Sequence, residues 1–396
     1  MGNIKINDSC LTLEQGQLIA LVGKALDPVE DSIDFLEINV RPLGRHGFSG
    51  ASLFLLWTEA ELLRRFVVKI GSKTDIDAEV KALKSVDKFF PDAKVETDPP
   101  HYFHSGELAA IIYPFISLHP QVGTYTTELE HFCFLDNKKD HVCELGNLVG
   151  RRDVETLDGC ALLFKRVFEK CKKAHNNSVV KPATYWHHYS VSLKSRERID
   201  FRLRQMYGIE IDTTPGELVM LNEKVANPLV VLDKLIGKSD EFLLGPIHGD
   251  LHATNVVLDS TGMPHLIDFA WAKNQGVIFK DYTMMECSLR YMVFPTHRDP
   301  KIHLRIDRAC LEESGLESLQ SDKNFFQNVS EDYRRLITLL IVVRNHAKKV
   351  SVNKMKGKWF ESYLKNLFVM HYRLHEYPDY GLLSARALGL LALHIR

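Results

Sequence analysis

The chain has 396 residues, of which 26% are charged and 45% hydrophobic, and its 50 basic and 51 acidic residues leave a net charge of -1. These ordinary globular values exclude a disordered or fibrous protein and give no reason to expect a nucleic-acid or membrane partner. A bound anion would therefore have to be held by locally placed groups rather than by the field of the whole molecule.

The cysteines and the first residues predict a cytoplasmic protein. The 7 cysteines contain no C-x-x-C pair, and an odd number in a chain of this size is typical of reduced thiols. The opening "MGNIKINDSC" lacks the apolar stretch of a signal peptide, and the run "LITLLIVV" is too short to span a bilayer.

Residues 34–70 predict an antiparallel start to the fold, in the order strand, turn, strand, strand. "DFLEINVRPL" leads into the glycine-rich "GRHGFSGAS", and "LFLLWTEAE" and "RRFVVKI" follow. "TDIDAEVKALKSVDKFF" then has apolar residues at helical spacing, with Thr74 or Asp75 as the expected N-cap. Two short strands are expected around "HYFHSG" and "LAAIIYPFI".

The remainder of the chain predicts mostly helices. Residues from about 125 to 244 look largely helical, and helices return after the strands "NVVLD" and "HLIDFAW", which the turn "STGMP" joins. We therefore predict an α+β fold with two lobes. A small antiparallel β-rich N-lobe would cover residues 1–115, and a large helical C-lobe would cover residues 116–396.

The polar stretch "HGDLHATN" is the first candidate for chemistry. His248 and His252 would share one face of a helix and could bind zinc, but Gly249 and the strand that follows disfavour a helix. The stretch matches a kinase catalytic loop, H-R-D-L-x-x-x-N, better than it matches a zinc site, with Gly249 in place of the arginine. In such a loop Asp250 receives the proton of the acceptor hydroxyl, and Asn255 binds magnesium from the same turn.

A second carboxylate, Asp268, lies in the hairpin at residues 256–272 that follows the loop. We predict that this hairpin binds metal. Asp268 in "LIDFAW" lies where the aspartate of a kinase D-F-G motif would bind the magnesium that bridges the ATP phosphates. A charge among apolar strand residues costs several kcal/mol unless it is paired or bound to metal, so an unpaired structural Asp268 is hard to justify.

Upstream residues predict the groups that position the phosphates. Lys69 ends the strand "FVVKI", as the lysine of V-A-I-K does, and Glu79 on the next helix would form an ion pair with it. Gly44, Gly47 and Gly50 in the preceding turn would let backbone amides approach phosphate. The segment "GQLIALVGKAL" has the wrong glycine spacing for a P-loop and has Ala after its lysine, so it is not one.

With these residues in this order, the chain resembles the aminoglycoside phosphotransferase and choline kinase group of the protein-kinase-like fold. "HGDLHATN" is similar to that group's H-G-D-L-H-x-x-N. "LIDFAWAKNQGVIFKDYTMMECSLRYM" is similar to the kinase-like domains attached to bacterial conflict and defence proteins, where an Asp such as Asp281 opens a helix behind the active site. The resemblance covers roughly residues 34–300.

The resemblance implies ATP and magnesium as cofactors and a role for each candidate residue. The implied roles are a base (Asp250) with a loop-supporting histidine (His248), magnesium ligands (Asn255, Asp268), a phosphate-positioning pair (Lys69, Glu79) and an adenine-binding hinge (Tyr113, Phe115).

Three alternatives stay open. The chain has no A-P-E motif and no room for a long activation loop between Asp268 and Asp281, which favours a small-molecule acceptor over a folded protein substrate. The second is a protein kinase, which could phosphorylate itself, in a bacterial defence or toxin system. The third is a nucleotide-binding pseudokinase that acts as an interaction module. The acceptor and the oligomeric state are not determined at this level.

Overall fold

The structure is a computed structural model in which residues 3–7, 11–26, 35–46, 51–58, 65–93, 102–114, 156–190, 193–210, 215–258, 263–294, 298–376 and 381–396 are described. The chain divides into two compact units. The first consists of Met1–Tyr125 and Ile267–Ala272, and the second of Thr126–Leu266 and Lys273–Arg396. The predicted boundary between residues 115 and 116 lies outside the described residues, so it stays a prediction.

The described strands of the first unit form one six-stranded sheet. They are β1 (Asn3–Asn7), β2 (Phe35–His46), β3 (Ser52–Thr58), β4 (Arg65–Ser72), β5 (Tyr102–Ser105) and β6 (Leu108–Pro114), in the order β1-β2-β3-β4-β6-β5. All neighbours are antiparallel except β1 and β2, which are parallel. The predicted antiparallel start of an α+β fold is thus confirmed.

Helix α1 (Leu13–Leu26) explains the parallel pair, because parallel neighbours need a crossover connection. Its residues Leu18, Ile19 and Val22 are fully buried in the core that also contains Val68 of β4 and Ile112 of β6. The segment rejected as a P-loop is therefore part of this helix, which the sequence analysis did not predict.

Helix α2 (Lys73–Val86) follows β4 without a loop. The Ser72 hydroxyl accepts a hydrogen bond from the Asp75 backbone N–H at 3.1 Å and caps the helix, so the prediction of Thr74 or Asp75 as N-cap was wrong. The cap lies earlier because the strand runs directly into the helix. On the buried face of α2, Glu79 lies among Ile76 and Leu83.

The second unit contains more strand than the sequence predicted. Its three-stranded antiparallel sheet has the order β13-β10-β7, and two hairpins pair β8 with β9 and β11 with β12. The bounds are β7 (Val179–Thr184), β8 (Glu217–Met220), β9 (Glu223–Ala226), β10 (Ser239–Ile247), β11 (Val256–Leu258), β12 (Pro264–Leu266) and β13 (Lys273–Val277). The prediction of a largely helical stretch from about 125 to 244 therefore missed β7 to β10. The last six residues of β10 are all buried, so it has no polar alternation to distinguish it from a buried helix.

Helices make up most of the second unit, as predicted. They are α3 (Leu157–Asn176), α4 (Tyr185–Tyr189), α5 (Arg196–Tyr207), α6 (Pro228–Ile236), α7 (Phe279–Cys287), α8 (Pro300–Ala309), α9 (Gly315–Ser321), α10 (Lys323–Asn328), α11 (Glu331–Ser351), α12 (Trp359–Leu374) and α13 (Gly381–Ile395). Within the described ranges, no helix is both long and apolar enough to cross a membrane. Four cysteines (Cys160, Cys171, Cys287, Cys310) are buried free thiols.

Helix α7 is buried on every side, including its charged residues. Glu286 forms an ion pair with Arg344 of α11 at 2.8 Å, accepts a hydrogen bond from Tyr363 of α12 at 2.8 Å, and lies 3.3 Å from Arg290. A buried charge is tolerated only when it is paired and hydrogen-bonded in this way. These contacts hold α7 against the two longest C-terminal helices.

His303 on α8 is a buried histidine with an apolar environment. Its ring packs edge-on against Phe294 and Tyr333, and its Nε2 has no hydrogen-bond partner among the described residues. Burial, helped by the positive charges of Arg298 and Arg290, lowers the pKa of His303 to about 3. The folded protein therefore holds this ring neutral at pH values where an unfolded chain would protonate it.

We expect the free energy of unfolding to fall as the pH is lowered from 7 to 5. Between a folded pKa of about 3 and an ordinary value of 6.5 the unfolded chain binds more protons, so this stabilisation is complete above 6.5 and is lost on acidification. His303→Phe should reduce the loss by about 1–2 kcal/mol. Urea unfolding at pH 7 and at pH 5 measures this loss of stability. His394→Gln, a substitution at an exposed position, is the control. An unchanged pH dependence in His303→Phe would contradict the assignment.

Candidate active site

The stretch from His248 to Asn255 folds into one hydrogen-bonded turn in the second unit. The Asn255 Nδ2 donates to the Asp250 carbonyl oxygen at 2.9 Å, and the His252 backbone N–H donates to the same carbonyl at 3.0 Å. Gly249 has a φ of 85°, a region that disfavours side chains, so the glycine that replaces the kinase arginine is required by the backbone. Asp250 and Asn255 thus belong to a single compact loop.

The carboxylate of Asp281, near the start of α7, holds the beginning of this loop. It accepts hydrogen bonds from the backbone N–H groups of His248 at 2.9 Å and Gly249 at 2.7 Å, and it lies 3.1 Å from the His175 Nε2. Burial opposes the charge of Asp281, but the hydrogen bond and charge of His175, with His248 and the Gly249 amide, keep its pKa below the usual range. Asp281 is therefore an ionised clamp at neutral pH.

A second contact fixes the loop further along. The Ser288 hydroxyl, in the π-helical turn Ser288–Met292 that continues α7, accepts a hydrogen bond from the Ala253 backbone N–H at 3.1 Å. Residues seven apart lie on the same face of a helix, so Asp281 and Ser288 present one continuous surface to the loop. The loop's backbone is therefore held by a single buried helix.

Asp250 is itself buried, with 8% of its surface exposed. Its Oδ2 lies 3.6 Å from the His252 Nε2, and its Oδ1 lies 3.8 Å from the Arg373 Nη1 of α12. Burial opposes ionisation, but His252 and the charges of Arg373 and Lys280 hold the pKa of Asp250 well below its usual range. Its buried Oδ1 has no hydrogen-bond partner among the described residues.

The ring nitrogens of the two loop histidines are engaged in the loop itself. The His248 Nδ1 lies 3.4 Å from the Asp250 backbone nitrogen, and the His252 Nδ1 lies 2.6 Å from the Thr254 hydroxyl. Among the described residues, no group of three or more His, Cys, Asp or Glu side chains could hold a metal ion. The loop therefore offers no zinc cage.

Each of the two candidate magnesium ligands, taken by itself, has an oxygen atom that could bind a cation. Asn255 uses its Nδ2 within the loop, so its Oδ1 is the atom that could bind a cation, and Asp268 offers a carboxylate that is 36% exposed. Magnesium is usually held by one or two such oxygens together with substrate phosphates, not by a full set of protein ligands. The residue types therefore fit magnesium.

The first unit brings together three other predicted residues. The Lys69 Nζ lies 2.8 Å from Glu79 and 3.1 Å from Asp268. Lys69 and Glu79 are 5% and 2% exposed. Burial lowers the pKa of Lys69, but the negative charges of Asp268 and Glu79 outweigh it and raise the pKa above the ordinary value. The lysine is therefore a fixed cation between two carboxylates.

The neighbours of this cluster explain its position. Asp268 has a φ of 59° and is followed by the short helix Phe269–Trp271, whose Phe269 packs edge-on against Phe90 with ring centroids 5.6 Å apart. The Tyr113 hydroxyl donates to Glu79, and burial raises the pKa of Tyr113 well above its usual value. Tyr113 lies inside β6 opposite Val67, so its role as a hinge stays a prediction.

Part of the predicted phosphate and adenine site is not described. Gly44 lies in β2, where the register against β3 shifts between Pro42 and His46. Gly47, Gly50 and Phe115 lie outside the described residues.

The sequence analysis missed several residues around Asp250. For Lys280 the sequence contained one indication. The lysine follows the apolar run "GVIF", so it had to lie either at the end of a helix or in the core as a buried charge. For Arg373 and Ser288 the sequence contained no such indication, because they contact the loop from elements that are distant in sequence. Asp281 was named only through the family resemblance.

Residues 180–374, just under half of the chain, match the family model described as ternary complex associated domain 9. This range contains the loop, Asp268 and Asp281. The sequence has no significant match among curated proteins.

Several solved structures are similar at low identity. A type VIII aminoglycoside-3'-phosphotransferase is 13% identical with a TM-score of 0.33, over 77% of this chain and 93% of that chain. A type I macrolide 2'-phosphotransferase is 12% identical with a TM-score of 0.35, over 89% and 96%. An aminoglycoside phosphotransferase from Streptomyces rimosus is 12% identical with a TM-score of 0.33, over 77% and 92%. At these scores the fold class rests on the strands and helices described above.

We expect Asp281→Asn to loosen the loop. An asparagine can accept only one of the two backbone hydrogen bonds and turns an N–H group toward the other, and hydrogen bonds to a charged group contribute about 1.5–3 kcal/mol each. Amide hydrogen exchange at His248 and Gly249 should accelerate roughly 10- to 100-fold. The exposed Asp233→Asn is the control. Unchanged exchange at both amides would show that Asp281 does not hold the loop.

Proposed function

We propose that the protein is an ATP- and magnesium-dependent phosphotransferase that transfers the γ-phosphoryl group to a hydroxyl of a small molecule. The solved phosphotransferase structures are similar to this chain only at low identity, so the proposal rests on the residues themselves.

One observation carries the proposal. The Lys69 ammonium lies between Glu79 and Asp268, although Asp268 is far away in sequence and returns to the first unit within the short segment Ile267–Ala272. A lysine paired with a helix glutamate beside a metal-binding aspartate is the arrangement that positions ATP phosphates in kinases. A lysine without a role in binding would not be expected to lie between two carboxylates that come from separate parts of the chain.

In the proposed reaction the acceptor oxygen attacks the γ-phosphorus of ATP. The new P–O bond forms as the bond between the γ-phosphorus and the bridging oxygen breaks, and that electron pair leaves with ADP. The hydroxyl proton passes to the carboxylate of Asp250. The low pKa of Asp250 makes it a weak base, so its main contribution is to orient the hydroxyl, as expected for a loose transition state in which the proton leaves late.

The chain's own residues account for the rest of the proposed chemistry. Magnesium bound by Asn255 and Asp268 would neutralise charge on the phosphates. Lys69 would bind the same phosphate chain, with Glu79 fixing its direction. Asp281 and Ser288 hold the loop that contains Asp250, so that little reorganisation is needed when the substrates bind.

A second candidate is a kinase-like module that binds nucleotide within an assembly. It is favoured by the description of the matched family, which names association with a ternary complex. Labelled ATP incubated with the pure chain and candidate acceptors separates the possibilities. Label on a small molecule supports the first proposal, label on the chain supports self-phosphorylation, and ATP binding without transfer supports the second candidate.

Asp250→Asn should abolish turnover and leave ATP binding intact. The amide keeps the size of the side chain but has no charged oxygen to orient the hydroxyl and to take its proton, so kcat for ATP consumption should fall at least about 100-fold. The Kd for ATP, from fluorescence titration, should change by less than about threefold, or 0.7 kcal/mol. The exposed Asp233→Asn is the matched control. Full turnover in Asp250→Asn would refute its role.

Lys69→Met should raise the KM for ATP by roughly tenfold or more, because the variant keeps the length of the side chain and removes the cation from the phosphate site. Steady-state kinetics over a range of ATP concentrations measures this. Lys84→Met, which removes an exposed lysine from α2, should leave the KM unchanged. Equal ATP kinetics for the two variants would exclude Lys69 from the site.

A further inference from the structure

A small pocket lies in the second unit next to the loop that contains Asp250. It is formed by α4, the end of β10, β13 and the start of α7. Ile247, one of its lining residues, directly precedes His248, Gly249 and Asp250 in the chain. Lys280 also lines the pocket, and its charge helps to lower the pKa of Asp250. The pocket thus shares Lys280 with the surroundings of the Asp250 carboxylate.

The polar side chains of this pocket favour negative charge. They are Lys273, Lys280, His187, His188 and Gln275, and no aspartate or glutamate is among the described residues that line it. Because the net charge of the chain is only -1, this positive character is local. A cation would be repelled from such a pocket, and an anion would find several hydrogen-bond donors.

Lys280 is the buried cation in the lining of this pocket. Only 5% of its surface is exposed. Burial and then the charge of Arg373 lower the pKa of Lys280 to about 7, although Asp250 and Asp281 oppose this. A bound anion would favour the charged form of this lysine.

His188 also lines this pocket. Its Nε2 is buried and has no hydrogen-bond partner among the described residues. Burial, with a smaller effect of His187, lowers the pKa of His188 to about 4, so the ring is neutral at pH 7. A neutral imidazole brings no negative charge to the pocket and can donate one hydrogen bond.

We infer that this pocket binds an anionic group of the phosphoryl acceptor, a carboxylate or a phosphate monoester, and that the acceptor is therefore a hydroxyl-bearing anion. The inference rests on the proposed function and narrows its substrate class. Amine-bearing acceptors, such as the aminoglycosides named for two of the similar structures, have the opposite charge.

Four compounds with one carbon skeleton test the charge preference. Glycerate and glycerol 3-phosphate carry an anion, glycerol is neutral and 3-amino-1,2-propanediol is a cation. Binding is measured by isothermal titration calorimetry on the full chain without ATP, with inorganic phosphate as a further probe. We expect at least one of the anions to bind in the millimolar range or more tightly, and about tenfold or more tightly than glycerol and the amine.

Variants assign the binding to the pocket. The exposed Lys273→Gln should weaken anion binding about tenfold without disturbing the fold, and Lys280→Met should weaken it further. Lys301→Gln, an exposed lysine on α8, is the control and should bind as the unaltered chain does. Equal anion binding in Lys273→Gln, Lys280→Met and the control would overturn the inference, as would no detectable binding of either organic anion or of phosphate.

The same compounds separate this inference from the proposed function. Transfer from labelled ATP to glycerol or to the amine, with none to the anions, would support a phosphotransferase and overturn the anionic acceptor. Pocket-dependent anion binding without any transfer would support the anion site and argue against the phosphotransferase.

Discussion

The hydrogen bonds from two backbone amides to the buried carboxylate of Asp281 are the contact on which the candidate loop depends. They fix His248 and Gly249, and Gly249 adopts a positive φ that allows its amide to reach the same carboxylate. The helix that bears Asp281 is itself buried on all sides and tied to its neighbours through Glu286. The rigidity of the loop therefore depends on the rigidity of this helix. The position of Asp250 is fixed by residues that have no proposed role in the reaction.

Charge in this protein is organised locally. The chain as a whole is nearly neutral, yet Lys69 is surrounded by carboxylates, and Lys280 lies in a pocket of basic and neutral donors. The same burial that strengthens each interaction also makes any uncompensated charge expensive. In the first unit Asp268 and Glu79 outweigh the effect of burial and raise the pKa of Lys69, whereas in the second unit burial and the charge of Arg373 lower the pKa of Lys280.

The order of elements in the first unit followed from local patterns, because short strands with turn residues between them and a helix with periodic apolar residues are recognisable without tertiary context. The second unit was harder. Strand β10 is buried along six consecutive residues, and α7 carries Lys280, Asp281 and Glu286 inside the core, so neither has the hydrophobic period of its own structure. Elements that are buried on all faces lose the alternation on which sequence prediction relies.

The sequence by itself determined the α+β class, the loop that joins Asp250 to Asn255, and the pairing of a strand lysine with a helix glutamate, because each depends on residues close together in the chain. Only the tertiary structure decided that Asp268 meets Lys69, that Ser288 and Asp281 clamp the loop, and that Arg373 and Lys280 act on Asp250. These contacts join segments distant in sequence, and their energies come from burial and charge, which no local pattern records.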